Sequence, residues 1–367
     1  MTKINENFNS ALRVQEGIEQ PSSVNPSIIN KIQKHKTPKI SVDEYLDGIL
    51  SGSRTILSRA ITLIESVLPE HQHLAQQIIE KCLPYSGNSI RLGITGVPGV
   101  GKSTFIEALG RYLTRNGNKL AVLAIDPSSQ RSKGSILGDK TRMEELAVDS
   151  LAFIRPSPSA GSLGGVSRKT RESIILCEAA GFNVIFVETV GVGQSETSVY
   201  GMVDFFLLLM LAGAGDELQG IKRGIMEMAD AIIINKADGD NITKANLAKT
   251  EYTNALHLFP PPPSGWEPKV DTCSAVTKDG VSRIWKTVLD YIDLTKRNGY
   301  FLQKRKEQSQ QIMSDYIQFQ LSDSFYRYPL IKKTLPSAEQ NVLEGKISAY
   351  VAAQKLLDSY LHSLSKK

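Results

Sequence analysis

The sequence predicts an α/β fold, a mainly parallel sheet covered by helices on both faces. Three observations carry that expectation. Short apolar runs recur at Ile90 (IRLGIT), Leu120 (LAVLAI), Leu151 (LAFI), Val184 (VIFVE), Phe205 (FFLLLML) and Ala231 (AIIIN). Helix-length segments with polar faces lie between most of them, for example Lys102 to Asn116 and Val166 to Ala180. Strands and helices alternating in this way indicate parallel strands joined by crossover helices. A glycine-rich motif also follows the first run directly, at the carboxyl end of a strand, where such sheets bind ligands.

Taken in chain order, residues 1–40 are rich in Asn, Gln, Ser and Lys, with Pro21 and Pro26, and read as a flexible tail. Residues 41–85 form a helical layer. Ser53 is placed to cap a helix whose Ile56, Leu57, Ala60, Ile61 and Ile64 recur at spacings of three and four, the period of one helical face. Pro69 ends that helix, and a second is expected from about Glu70 to Leu83, before Pro84. Residues 86–298 hold the sheet, with Pro260–Pro263 in a loop, a last short strand near Val270 and a closing helix from about Gly280 to Lys296. Residues 299–367 form a helical arm: a polar helix through Lys304–Gln311 to about Leu321, then one helix over about Ser337–Leu364.

Composition excludes several classes. The 367 residues carry a net charge of +5, with Lys and Arg scattered, so no nucleic-acid partner is expected. Cys82, Cys177 and Cys273 are far apart and lack CxxC spacing, which argues against a disulfide framework or a cysteine zinc site. The most apolar stretch, from Val203, is far shorter than the roughly twenty residues of a spanning helix. The first residues lack an apolar h-region and carry Glu6 and Glu16, so neither a secretory signal nor a transit peptide is expected. The location expected is cytoplasmic.

Gly96-Val97-Pro98-Gly99-Val100-Gly101-Lys102-Ser103 matches GxxxxGK[ST] between a strand and a helix, the context that a phosphate-binding P-loop requires. Gly96, Pro98, Gly99, Val100, Gly101, Lys102, Ser103 and Thr104 are expected to form the phosphate cradle, with backbone N–H groups other than that of Pro98 facing the phosphates, aided by the helix N-terminus. Lys102 then reaches the terminal phosphates, and Ser103 ligates magnesium. Asp126 ends LAVLAID and Glu188 ends VIFVE, so these carboxylates are the further oxygen ligands expected for a hard octahedral ion. Glu188-Thr189-Val190-Gly191 has the shape of DxxG with Glu for Asp; there the Gly191 N–H senses the γ-phosphate. What positions the attacking water stays open, because Val192 follows Gly191 and Gln194 lies further on.

Asn235-Lys236-Ala237-Asp238 follows the strand AIII and matches NKxD, about 130 residues after the P-loop. Asp238 can accept from guanine N1–H and its exocyclic amine, a pairing that adenine does not offer. Lys236 lies along the base, Asn235 braces the loop, and Ser274 and Ala275 complete it, with the Ala275 N–H toward guanine O6. The nucleotide expected is therefore GTP, with GDP as product.

Longer strings are more specific. Asp126–Ser129, Gly134–Met143, Ile154–Pro158, Leu163–Gly165, Glu188–Glu196 (ETVGVGQSE) and Gly215–Gly224 (GDELQGIKRG) closely resemble the MeaB/ArgK family of P-loop GTPases, chaperones of adenosylcobalamin-dependent methylmalonyl-CoA mutase. The resemblance covers about Ser53 to Lys296. It implies a P-loop NTPase fold, Ser103, Asp126 and Glu188 around magnesium, and Lys102, Asp139 and Glu188 as catalytic groups. It implies that Asp139, Arg142, Gln194, Asp216 and Lys222 couple nucleotide state to the client. The arm after Asn298 corresponds to the family's dimerisation region, implying a homodimer. Hydrolysis is expected to be slow alone and stimulated by the partner. The chain lacks a DxHxxG-like motif, so it is expected to bind no cobalamin itself. The alternatives are an ATPase or kinase serving lysine, arginine and ornithine transport, and a nickel-insertion GTPase. NKAD argues against the first, and the absence of a Cys- or His-rich run against the second. The client also stays open between methylmalonyl-CoA mutase and related acyl-CoA mutases.

Overall fold

In the computed structural model, the described residues are 40–126, 143–158, 163–189, 195–213 and 223–365. All seven expected strands form: β1 (Ile90–Gly96), β2 (Leu120–Asp126), β3 (Ala152–Pro158), β4 (Val184–Thr189), β5 (Phe205–Leu211), β6 (Ala231–Asn235) and β7 (Lys269–Thr272). They pair in the order β3-β2-β4-β1-β5-β6-β7, and every pair is parallel. β4 and β6 are buried along their whole length, as parallel strands covered on both faces must be. Alternate residues of β6 divide between the faces. Ile233 joins the core with Phe105, Leu109, Ile284 and Val288, while Ile232 and Ile234 pack with Ala245, Ala248 and Tyr252.

The helices are α1 (Val42–Leu50), α2 (Arg54–Glu65), α3 (Pro69–Cys82), α4 (Lys102–Arg115), α5 (Glu144–Ala147), α6 (Leu163–Ala179), α7 (Ser195–Tyr200), α8 (Arg223–Met228), α9 (Ile242–Leu256), α10 (Val281–Arg297), α11 (Tyr300–Arg327), α12 (Pro329–Leu343) and α13 (Ala349–Leu364). Ser53 caps α2, its hydroxyl accepting from Ile56 N at 3.4 Å. An Arg155–Glu65 ion pair ties β3 to α2. The expected helix to Leu83 stops at Cys82, and a 3₁₀ turn over Leu83–Tyr85 takes Pro84. The 1–40 tail lies outside the described residues, apart from Ile40.

The arm departs from expectation in two places. α11 runs on past Leu321 to Arg327 and stops only before Pro329, the residue ahead of a proline being steered out of helix. The single helix expected over Ser337–Leu364 is two. Gly345, at φ 67°, ends the first; its N–H bonds Val342 O at 3.1 Å and Lys346 N bonds Asn341 O at 2.9 Å, a Schellman stop. Ser348 caps the second, accepting from Val351 N at 3.3 Å. Pro336 sits inside α12 rather than at its start.

Polar bonds clamp α11 to the sheet. Lys304 Nζ donates to Asp204 O at 2.8 Å, Arg305 pairs with the Asp204 carboxylate at 2.7 Å, and Gln308 Nε2 donates to Val203 O at 2.8 Å. Asp204 in turn accepts from Arg91 N at 2.8 Å. The three cysteines are buried and free, and burial pushes the Cys82 and Cys273 thiols up, to about 11 and about 12, so they are unreactive.

Asp230, at the start of β6, accepts from Phe206 N at 2.8 Å. Burial raises its carboxyl to about 6, with Lys304 opposing the shift. A carboxyl raised on folding contributes stability below its unfolded pKa that is lost as pH rises through its folded one. Asp230→Asn keeps an acceptor and removes the titration. Its stability relative to wild type rises by about 1 kcal/mol between about pH 5 and 7.5, measured by urea denaturation across that range.

Candidate nucleotide site

The phosphate loop leaves the carboxyl end of β1, the central strand of the sheet, and enters α4. Its backbone requires glycine at two points. At Gly96 a Cβ would lie 2.4 Å from Leu209 O. At Gly101, φ is 91° and a Cβ would lie 3.0 Å from Asn235 Nδ2. Left-handed backbone at the mouth of a helix turns successive N–H groups to one side, which is how an anion cradle is built. Val100 is fully buried and roots the loop in the core, while Pro98 and Gly99 are exposed. Thr104 is exposed on the first turn of α4.

Lys102 opens α4. Its ammonium donates to Gly96 O at 2.8 Å and Val97 O at 3.3 Å, arching over the loop. Burial lowers its pKa, opposed by the charges of Glu188 and Glu196. Ser103 Oγ donates to Glu188 Oε1 at 3.5 Å. Glu188 is buried at the end of β4, beside β1 in register with Ile94. Thr189 Oγ1 donates to Thr95 Oγ1 at 2.8 Å, which fixes the two strand ends side by side. Hydroxyl and carboxylate oxygens converging next to a phosphate cradle suit a hard divalent cation. Among the described residues no three His, Cys, Asp or Glu side chains cluster as a metal site. Asp126 ends β2; its side chain lies outside the described residues. So do Asp139, Arg142, Gly191, Gln194, Asp216 and Lys222.

Glu196 was not singled out by its sequence position. It is buried on α7 and acts electrostatically on Lys102. Its place one residue into the helix after the DxxG-like element was the available signal.

The second motif joins the first. Asn235 ends β6, and its amide bridges two loops: Nδ2 donates to Val100 O at 2.8 Å, and Oδ1 accepts from Ala275 N at 3.4 Å. The Ala275 N–H, expected toward guanine O6, is thus directed to Asn235. Asp238 accepts from the Ser274 hydroxyl at 2.5 Å, and Ala237 N bonds Cys273 O at 3.0 Å. Lys236 is held at φ 58°, with its carbonyl accepting from Asn241 Nδ2 at 2.7 Å. A bulky residue in left-handed backbone is sustained only where surrounding bonds enforce it.

Glu188→Ala tests the cation arrangement. The magnesium concentration for half-maximal turnover rises at least tenfold, the scale typical of losing a supporting metal contact, as read by titrating magnesium at saturating GTP.

The family model described as methylmalonyl-CoA mutase-associated GTPase MeaB matches residues 57–329. The Escherichia coli protein named GTPase ArgK is 48% identical over 309 residues, covering 83% of this chain and 93% of its own length. The mouse protein named methylmalonic aciduria type A homolog, mitochondrial, is 44% identical over 329 residues, covering 87% of this chain and 79% of its own length. A solved structure titled LAO/AO transport system kinase superposes with a TM-score of 0.71 at 39% identity, covering 87% of this chain and 97% of its own. The P-loop fold, the phosphate and base motifs and these likenesses agree: this chain belongs to the MeaB/ArgK family of GTPases, GTP-hydrolysing enzymes with a P-loop NTPase fold.

Proposed function

We propose that the chain is a magnesium-dependent GTP switch that gates cofactor delivery to, and protects, an adenosylcobalamin-dependent acyl-CoA mutase, methylmalonyl-CoA mutase foremost. The observation that carries the switch is Asn235: one amide ties the phosphate loop at Val100 to the base loop at Ala275. A change in the base loop is thereby passed to the phosphate loop through one side chain. The client reading rests on the family's description and on the ETVGVGQSE and GDELQGIKRG strings.

Lys102 supplies charge against the terminal phosphates, and Ser103 and Glu188, with Asp126, hold the cation. Magnesium, when bound, neutralises charge on the β- and γ-phosphates. Phosphoryl transfer depends mainly on such positioning and neutralisation. The γ-phosphate holds the segments around Asp139 and Gly191, and hydrolysis releases them; Arg142, Gln194, Asp216 and Lys222 pass that change to the client. No Gln directly follows Gly191, so hydrolysis is slow until the client orders these segments.

The arm supports a homodimer. On α12 and α13, Leu343 and Tyr350 are 82% and 89% exposed, and Val351, Leu357 and Leu361 are also open. A run of large apolar side chains left in water is the mark of a protein interface. Among the described residues no helix is long and apolar enough to cross a membrane; the working location proposed is the cytoplasm.

Nucleotide-dependent capture tests the client. The tagged protein, loaded with GDP or a non-hydrolysable GTP analogue, retains methylmalonyl-CoA mutase from a native lysate, with an amount that changes with the nucleotide. Retention of no cobalamin enzyme in either state contradicts the client reading.

A further inference from the structure

A second cavity lies away from the nucleotide site, between α3, α6, α7 and α11, with a volume of about 1390 Å³. That exceeds the few hundred to a thousand cubic ångströms of ordinary small-molecule sites, so it admits an extended ligand. Its walls divide chemically. Leu83, Ile175, Met202, Ile312 and Phe319 supply apolar surface. Arg91, Arg168, Arg171 and Arg305 also line it.

These guanidiniums differ in how fully they are matched. Arg91 and Arg305 pair with Glu178 and Asp204, which do not line the cavity. Arg168 pairs with Glu172 on its own helix and lies 4.7 Å from the Tyr316 ring centre. Arg171 is the least satisfied. Its Nε is buried without a hydrogen-bond partner. Its Nη1 reaches Asp315 only at 3.3 Å, and that carboxylate is 47% exposed. Its Nη2 donates to Gly201 O, also at 3.3 Å. A largely buried guanidinium with a bare Nε, two long bonds and a single, solvent-screened carboxylate is short of negative charge. Lys81, the remaining cation of the lining, pairs with Asp43, which does not line the cavity, so the unmet donor lies at Arg171.

We propose that this cavity binds an anionic amphiphile: a linear apolar chain lies against the Ile175–Ile312–Phe319 wall, and an anionic head replaces Asp315 at Arg171 Nη1. Thr197 and Ser198 of α7 line the same cavity, so the ligand lies against the helix that carries Glu196. The unmet donor of Arg171 selects the head and the apolar wall selects the tail; neither alone accounts for both sets of residues.

The test uses the full-length GDP-bound protein and two probes with the same chain, decanoate and decyltrimethylammonium, both below micelle concentration, in isothermal titration calorimetry. Decanoate binds one to one, at least tenfold more tightly than the cation. Ile175→Trp, which fills the cavity from a half-buried position on α6, abolishes decanoate binding. Arg171→Gln lowers decanoate affinity at least fivefold and leaves the cation unaffected, a readout that stands even if the tryptophan variant fails to fold. No binding of decanoate, equal binding of the two probes, or undiminished decanoate binding in a folded Ile175→Trp or Arg171→Gln variant overturns the proposal.

Discussion

Lys102→Ala abolishes GTP turnover, with kcat falling at least a thousandfold, while the protein stays folded. The ammonium donates to the phosphate loop itself, 2.8 Å from Gly96 O. Its half-buried setting strengthens what it does for a developing negative charge, because fixed charges act more strongly where water is excluded. Removing it also leaves Glu188 and Glu196 facing phosphate with less counter-charge, so nucleotide binding falls as well. The loop keeps its course, since Val100 remains rooted in the core and Asn235 still holds its carbonyl. Single-turnover hydrolysis and nucleotide binding by fluorescence measure the loss, and the thermal midpoint separates it from unfolding. Turnover within tenfold of wild type contradicts the role given to Lys102.

Asp238→Asn exchanges the base rather than the phosphates. Asp238 offers two acceptor oxygens, one already bonded by the Ser274 hydroxyl, which locks the carboxylate in place. An amide at that position presents a donor where guanine also presents donors. A site that leaves buried polar groups unpaired rejects its ligand strongly. GTP affinity falls at least a hundredfold, and xanthosine triphosphate, which carries an acceptor there, becomes the preferred nucleotide. Competition between the two triphosphates measures the exchange, and unchanged GTP affinity sinks the base assignment.

The two motifs were legible in the sequence because backbone geometry constrains residue type. Gly96 and Gly101 stand where a Cβ has no room, and NKAD follows a wholly apolar strand. The inner strands were legible for a similar reason, β4, β5 and β6 being short runs buried on both faces, whereas β7, with the sequence KVDT, is only half-buried. Their order was not, since nothing local in β4 says that it pairs with both β1 and β2. The arm was the hardest part. Lys304, Arg305 and Gln308 read as an ordinary solvated helix, yet Asp204 and neighbouring carbonyls draw them inward. A buried polar clamp has no apolar periodicity to announce it. The stop lies in Glu344-Gly345-Lys346, within a stretch whose apolar residues continue on either side. In the site, Glu196 acts through space on Lys102, and its place just after the DxxG-like element is the one local sign of that.

The central claim is a GTP switch completed by its client, and the most direct measurement is the GTP hydrolysis rate of the purified protein, alone and with methylmalonyl-CoA mutase. The account predicts slow turnover alone and a rise of at least tenfold on adding the mutase, lost in Lys102→Ala. Fast turnover alone that the mutase leaves unchanged contradicts it.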